Sequence, residues 1–156
     1  MKPTVVRLGT VVVEGKVRDL ALQKEDFYGR QRAAGGFFLP PEEVEKWRGG
    51  RTSTLLRLVP GAQVVAGRAG TTQVLFRSGM TWCTPALYID GVHLPFDGFI
   101  DDFLPITNVK AVEVYRGVNT PARFRGLSDQ CGALVFWSGA EPPPKPKKAR
   151  KRASDD

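Results

Sequence analysis

Apolar residues fall on both parities of the stretch Val109 to Gly117, V-K-A-V-E-V-Y-R-G. Val112 and Val114 would share one face of an extended chain, and Ala111 and Tyr115 the other. That pattern predicts a strand covered on both faces, with Val112 and Val114 almost fully buried. Glu113 is the one acid among these neighbours, and a carboxylate there needs a cationic or hydrogen-bonding partner. Arg116-Gly117 ends the run, since glycine permits a turn at positive φ. Two more strands are expected beside it: Ala86 to Ile89, which runs into the turn pair Asp90-Gly91, and the continuous apolar run Gly132 to Trp137.

The rest of the chain reads as short elements. Thr10 to Glu14, T-V-V-V-E, suits a strand or an ordered arm. Val17, Leu20, Ala21, Phe27 and Tyr28 recur near helical spacing, which predicts an amphipathic helix from Val17 to about Ala33, broken by Gly35-Gly36. Phe37-Phe38-Leu39 forms a small apolar hook. Pro41 to Arg48 is a predicted helix: proline suits the first turn, Glu42 and Glu43 the N-terminal end, and Lys46 and Arg48 the other. Thr52 is expected to cap a helix over Ser53 to Leu58, with Leu55, Leu58 and Val59 inward. Strands follow at Gln63–Ala66 and Thr72–Phe76, and a hairpin at Ala86–Ile89 and Val92–Leu94 around Asp90-Gly91. The fold class this predicts is α/β (α+β), with one small mixed sheet of four to five strands and short flanking helices. Three segments result: an N-terminal arm and helix over 1–35, a compact domain over 36–139, and a tail over 140–156.

Charge alters this picture only at the C-terminus. Of a net +7 on 156 residues, residues 141–156 carry +3, six Lys/Arg against three acids. This P-P-P-K-P-K-K-A-R-K-R segment reads as a disordered, dispensable tail. No run of 18 apolar residues predicts a membrane-spanning helix, and Met1 to Arg7 does not read as a signal peptide. Cys83 and Cys131 form neither a C-x-x-C pair nor a zinc pattern. Each precedes a predicted strand, and adjacent strand starts could bring them within bridging distance. A bridge would contribute about 4 kcal/mol in the chain-entropy treatment and would persist only in an oxidising compartment. The cysteines thus point to export and the N-terminus against it.

Catalysis finds little purchase. His93 is the only histidine, and no serine lies in a G-x-S-x-G context. Gly67-Arg68-Ala69-Gly70 lacks the lysine and spacing of a phosphate loop. Asp97, Asp101 and Asp102 do not follow calcium-loop spacing and read as a solvated acidic loop. No nucleic-acid-binding module is evident. No enzyme, cofactor or metal is expected.

Six blocks in order resemble the plug domain of TonB-dependent outer-membrane receptors: Pro41 to Glu45; Leu55 to Val64 (L-L-R-L-V-P-G-A-Q-V); Val74 to Gly79; Ala86 to Val92 (A-L-Y-I-D-G-V); Val109 to Gly117; and Gly132 to Trp137. The resemblance implies a compact α/β plug that gates nutrient uptake from within a β-barrel. It implies TonB and an outer-membrane barrel as partners, and the periplasm or outer membrane as location. Gly9 to Gly15 is similar to the family's TonB box, with Thr10, Val11, Val12 and Val13 as the strand that TonB would pair with; the leading acid and closing T-A of that box are replaced. Arg77 and Arg116 match the family's two arginines that face carboxylates of the barrel wall, although Ser78 interrupts the R-G and Val118 stands where a proline is usual. A Cys83–Cys131 bond would fit plug-like relatives. With no barrel-length sequence after the plug, the chain reads as a barrel-less relative, a fragment, or half of a split system. The alternative is a basic cytoplasmic protein whose tail contacts nucleic acid or anionic lipid. If either arginine pairs with Glu113, Arg77 is expected to, because Glu113 and Arg116 leave opposite faces of the strand.

Overall fold

The computed structural model describes residues 18–126 and 130–139. Its elements are α1 (Leu20–Lys24), α2 (Phe27–Ala33), β1 (Phe37–Leu39), α3 (Pro41–Glu45), α4 (Thr52–Leu56), β2 (Ala62–Ala66), β3 (Thr72–Ser78), β4 (Thr81–Cys83), β5 (Ala86–Ile89), β6 (Val92–Leu94), β7 (Ala111–Tyr115) and β8 (Ala133–Trp137), with four short 3-10 turns between them. The expected α/β class holds. A five-stranded mixed sheet runs β1-β7-β8-β5-β6, and β5 and β8 are its parallel pair. A separate three-stranded antiparallel sheet, β2-β3-β4, takes the two strands expected at Gln63 and Thr72. That second sheet was not foreseen, and neither were two strands, β4 within it and β1 in the large sheet. β4 is three residues long, and the Phe37–Leu39 hook is an edge strand set against Val112 to Val114.

β7 is buried along its whole length. Val112 and Val114 face a core built from Leu39, Leu55, Leu56, Val74, Phe76, Leu87, Leu134 and Phe136. Ala111 and Tyr115 face a second core of Leu22, Phe27, Tyr88, Phe124, Val135 and Trp137. The three-stranded sheet and helices α3 and α4 cover the first face, and α1 and α2 cover the second. At about 1.5–3 kcal/mol per buried aliphatic side chain, these two cores supply the main driving force for the fold.

The helices depart from the pattern where single side chains intervene. The amphipathic stretch forms two helices, because Asp26 takes a left-handed conformation with φ 58° and breaks the ladder. Asp19 caps the first helix through bonds from the Ala21 and Leu22 amides at 2.9 and 3.1 Å; Val17 lies outside the described residues. Thr52 is not a cap. It is the first residue of α4, and its buried hydroxyl donates to the Leu104 carbonyl. Leu58 lies beyond that helix and is 37% exposed, so it does not face inward as expected. The "solvated" acidic loop is partly structural. The Asp101 carboxylate accepts from the amide and hydroxyl of Ser53 at 2.8 and 2.6 Å and so ties the loop to the start of α4. The Asp90-Gly91 turn forms as expected, with φ of 51° and 82° at its two residues.

Cys83 and Cys131 are joined, with Cα atoms 5.9 Å apart. Cys83 lies just before β5 as expected and also ends β4, so the bridge ties the small sheet to the entrance of β8 in the large one.

Candidate functional site

Two constellations stand out among the described residues: a buried ionic cluster on β7, and an exposed seam where the two sheets meet.

The ionic cluster answers the question Glu113 poses. Glu113 is fully buried. Its partner is Arg30 of α2, which donates through Nε at 2.9 Å and Nη2 at 2.7 Å in a two-pronged pair. The Tyr115 hydroxyl and the Trp137 indole N–H also donate to the carboxylate, at 2.5 and 2.7 Å. The Arg30 guanidinium lies over the rings of Phe124 and Trp137, at 5.3 and 5.9 Å from their centroids. Burial works against the charge on Arg30, but the hydrogen bonds and attraction of Glu113 outweigh it and hold its pKa above the ordinary value. Burial, and then the hydrogen bond and negative charge of Glu113, push the Tyr115 phenol well up. Two further ion pairs join the same N-terminal helices to the rest: Asp19 with Lys110 at 2.5 Å, and Glu25 with Arg123. Desolvation raises the Asp19 pKa, yet Lys110 and the two capped amides bring it below the ordinary value.

Neither Arg77 nor Arg116 is the partner of Glu113, so the condition on which Arg77 was expected to pair with it is not met. The reason is one of layers. β3 lies in the three-stranded sheet, whose Val74 and Phe76 pack on the Val112 and Val114 face. Glu113 leaves β7 on the other side. Arg30 was missed because it comes from a segment read only for its apolar residues. The available signal was its position three residues after Phe27, on the same helical face.

The seam holds both sequence-predicted arginines. Arg116, just after β7, is exposed, and its guanidinium donates to the Pro60 carbonyl at 3.1 Å and to the Arg77 carbonyl at 2.6 Å. Arg77, near the end of β3, donates through Nε to Gly79 at 3.2 Å. Among the described residues neither pairs with a carboxylate. Arg77, Ser78, Arg116, Asn119, Gln130 and Cys131 line an open recess of about 430 Å³. Thr10, Val11, Val12 and Val13, the TonB-box-like strand, lie outside the described residues.

The TonB-dependent Receptor Plug Domain family matches residues 38–126, more than half of the chain. The chain belongs to that family. Among solved structures, the plug is similar in fold to a ferric enterobactin receptor from Pseudomonas aeruginosa, at 18% identity and a TM-score of 0.50, over 78% of this chain and 19% of that one. The ferric yersiniabactin uptake receptor of Yersinia pestis matches at 20% identity and a TM-score of 0.48, over 69% of this chain and 17% of that one. The chain spans less than a fifth of the length of either receptor. No curated protein matches it. The matched stretch begins inside β1 and ends before β8. Arg30, Cys131 and Trp137 thus lie outside it, although they bond to Glu113 and Cys83 within it.

Proposed function

We propose that this plug acts, without catalysis, as the gating module of an outer-membrane uptake receptor, seated in a β-barrel and reached by TonB through Thr10 to Val13. The observation that carries this reading is the plug-family match over 38–126, which takes in both arginines of the seam. Export to the periplasm or outer membrane is supported by the Cys83–Cys131 bond, which persists only under oxidising conditions. The seam has the character of a partner surface. It presents two arginines that pair with no carboxylate among the described residues, beside Val118, which is 90% exposed. Neither the family match nor the fold lends support to a cytoplasmic nucleic-acid or lipid binder.

The test is a photo-crosslinking residue in place of Val118, introduced in the native cell. The expected result is an adduct with a heat-modifiable outer-membrane barrel, together with oxidised cysteines. A chain found in the cytosol with free thiols, giving no barrel adduct, would overturn the proposal.

A further inference from the structure

We infer that the two ends of the described chain make one docking corner for an acidic protein partner. The N-terminal arm supplies the strand that the partner pairs with. The C-terminal tail, joined to the fold beside it, supplies the charge that draws the partner in. This rests on the reading under Proposed function, where the partner of the arm is TonB.

The corner is built around Lys110, just before β7. Its ammonium pairs with Asp19 at 2.5 Å, next to Arg18, the first described residue. Its stem lies against Gly139, the last described residue, where a Cβ would fall 2.5 Å from Lys110 Cδ. One lysine side chain therefore spans the gap between the two ends. Each end is also held in place. The Asp19 amide donates to the Tyr28 hydroxyl at 2.9 Å. The amide and hydroxyl of Ser138 donate to the Asp90 carboxylate at 2.8 and 2.5 Å.

Charge follows the same division. Residues 18–139 carry 14 Lys/Arg against 12 acids and are nearly neutral. Residues 1–17 hold Lys2, Arg7 and Lys16 against Glu14, and residues 140–156 hold six Lys/Arg against three acids. Five of the seven net charges thus belong to two extensions that join the fold at one corner. The acids bonded there are spent within the fold, Asp19 on Lys110 and its helix cap, and Asp90 on Ser138. Arg7 and Lys16 flank Thr10 to Val13 in the sequence, so a partner that adds a strand there meets a cation at either end. An acidic protein fits this better than a membrane or a nucleic acid. Neither extension holds an aromatic residue, the side chain that anchors at a lipid interface or stacks on bases. Opposite charge speeds encounter, and its reach is about 8 Å at physiological salt. A cationic tail rooted beside the arm therefore acts on the partner of the arm.

Stopped-flow association of the oxidised full-length chain with the periplasmic domain of TonB tests this. Changing the six Lys/Arg of residues 145–152 to glutamine should slow association about tenfold or more at low salt. It should leave dissociation and melting unchanged, and its effect should vanish at high salt. Moving the intact tail behind a rigid helical spacer after Gly139 should lose most of the same gain, although the charge of the tail is kept. Val12→Pro should abolish binding, because proline removes a main-chain donor from the added strand. A tail-neutral chain that associates as fast as wild type would overturn the inference, while loss of binding in Val12→Pro would still uphold the receptor reading. A spacer variant as fast as wild type would overturn the shared corner. Tail-dependent capture by phosphatidylglycerol vesicles, with TonB association indifferent to the tail, would overturn it in favour of a membrane. A wild-type chain that TonB does not bind would overturn both readings.

Discussion

Replacing Arg30 with methionine removes the cation paired with a fully buried carboxylate while keeping most of the side-chain volume. Glu113 would keep the Tyr115 hydroxyl and the Trp137 indole as donors, but it would lose both prongs of the pair. Breaking a buried pair from one side costs about 3–5 kcal/mol, because the remaining charge is stranded away from water. The two surviving donors place this site near the lower end, at about 3 kcal/mol. For a domain of this size that corresponds to a fall in Tm on the order of 10 °C. Urea denaturation of wild type, R30M, E113L and R30M/E113L gives the full cycle. The double variant should be more stable than R30M, since it strands no charge, and the coupling between the sites should exceed 1 kcal/mol. R30M within 1 kcal/mol of wild type at an unchanged m value would refute the view that Arg30 neutralises Glu113. Additive single effects would do the same.

The buried phenol makes a pH prediction. The folded pKa of Tyr115 is raised, so its contribution is fully present below the unfolded value of about 10 and is lost as pH rises through the folded value. Alkaline unfolding should therefore be less steep above pH 10 in Y115F than in wild type, and identical slopes would contradict the assignment. Val114→Asp places an unpaired charge in the first core and should abolish cooperative unfolding; a normal melting curve would mean that β7 is not central. Cys83→Ser should lower stability by about 4 kcal/mol in the chain-entropy treatment of the 48-residue separation. Mass mapping of a non-reduced digest should show the Cys83–Cys131 peptide pair, and two free thiols in the native protein would sink that prediction.

Much of this architecture was legible in residue order. β5, β6, β7 and β8, the Asp90-Gly91 hairpin and the start of α3 all follow from local rules: period, turn chemistry and end-of-helix charge act within a few residues. The burial of Val112 and Val114 and the need of Glu113 for a partner were equally plain, because a carboxylate in an apolar strand cannot stay unpaired wherever the chain goes. Which group answers that need was a different matter. Arg30 lies 83 positions from Glu113, and only the packing of α1 and α2 on the second sheet face brings them together. The same holds for Thr52, which looks like a cap by position and is instead buried against Leu104. It holds too for Arg116, whose carbonyl partners lie in and just before a sheet that periodicity did not separate from the first. Short-range rules determine what each segment can be. Which face meets which, and so which charge finds which partner, depends on the path of the chain through three dimensions, and only the tertiary structure decided it.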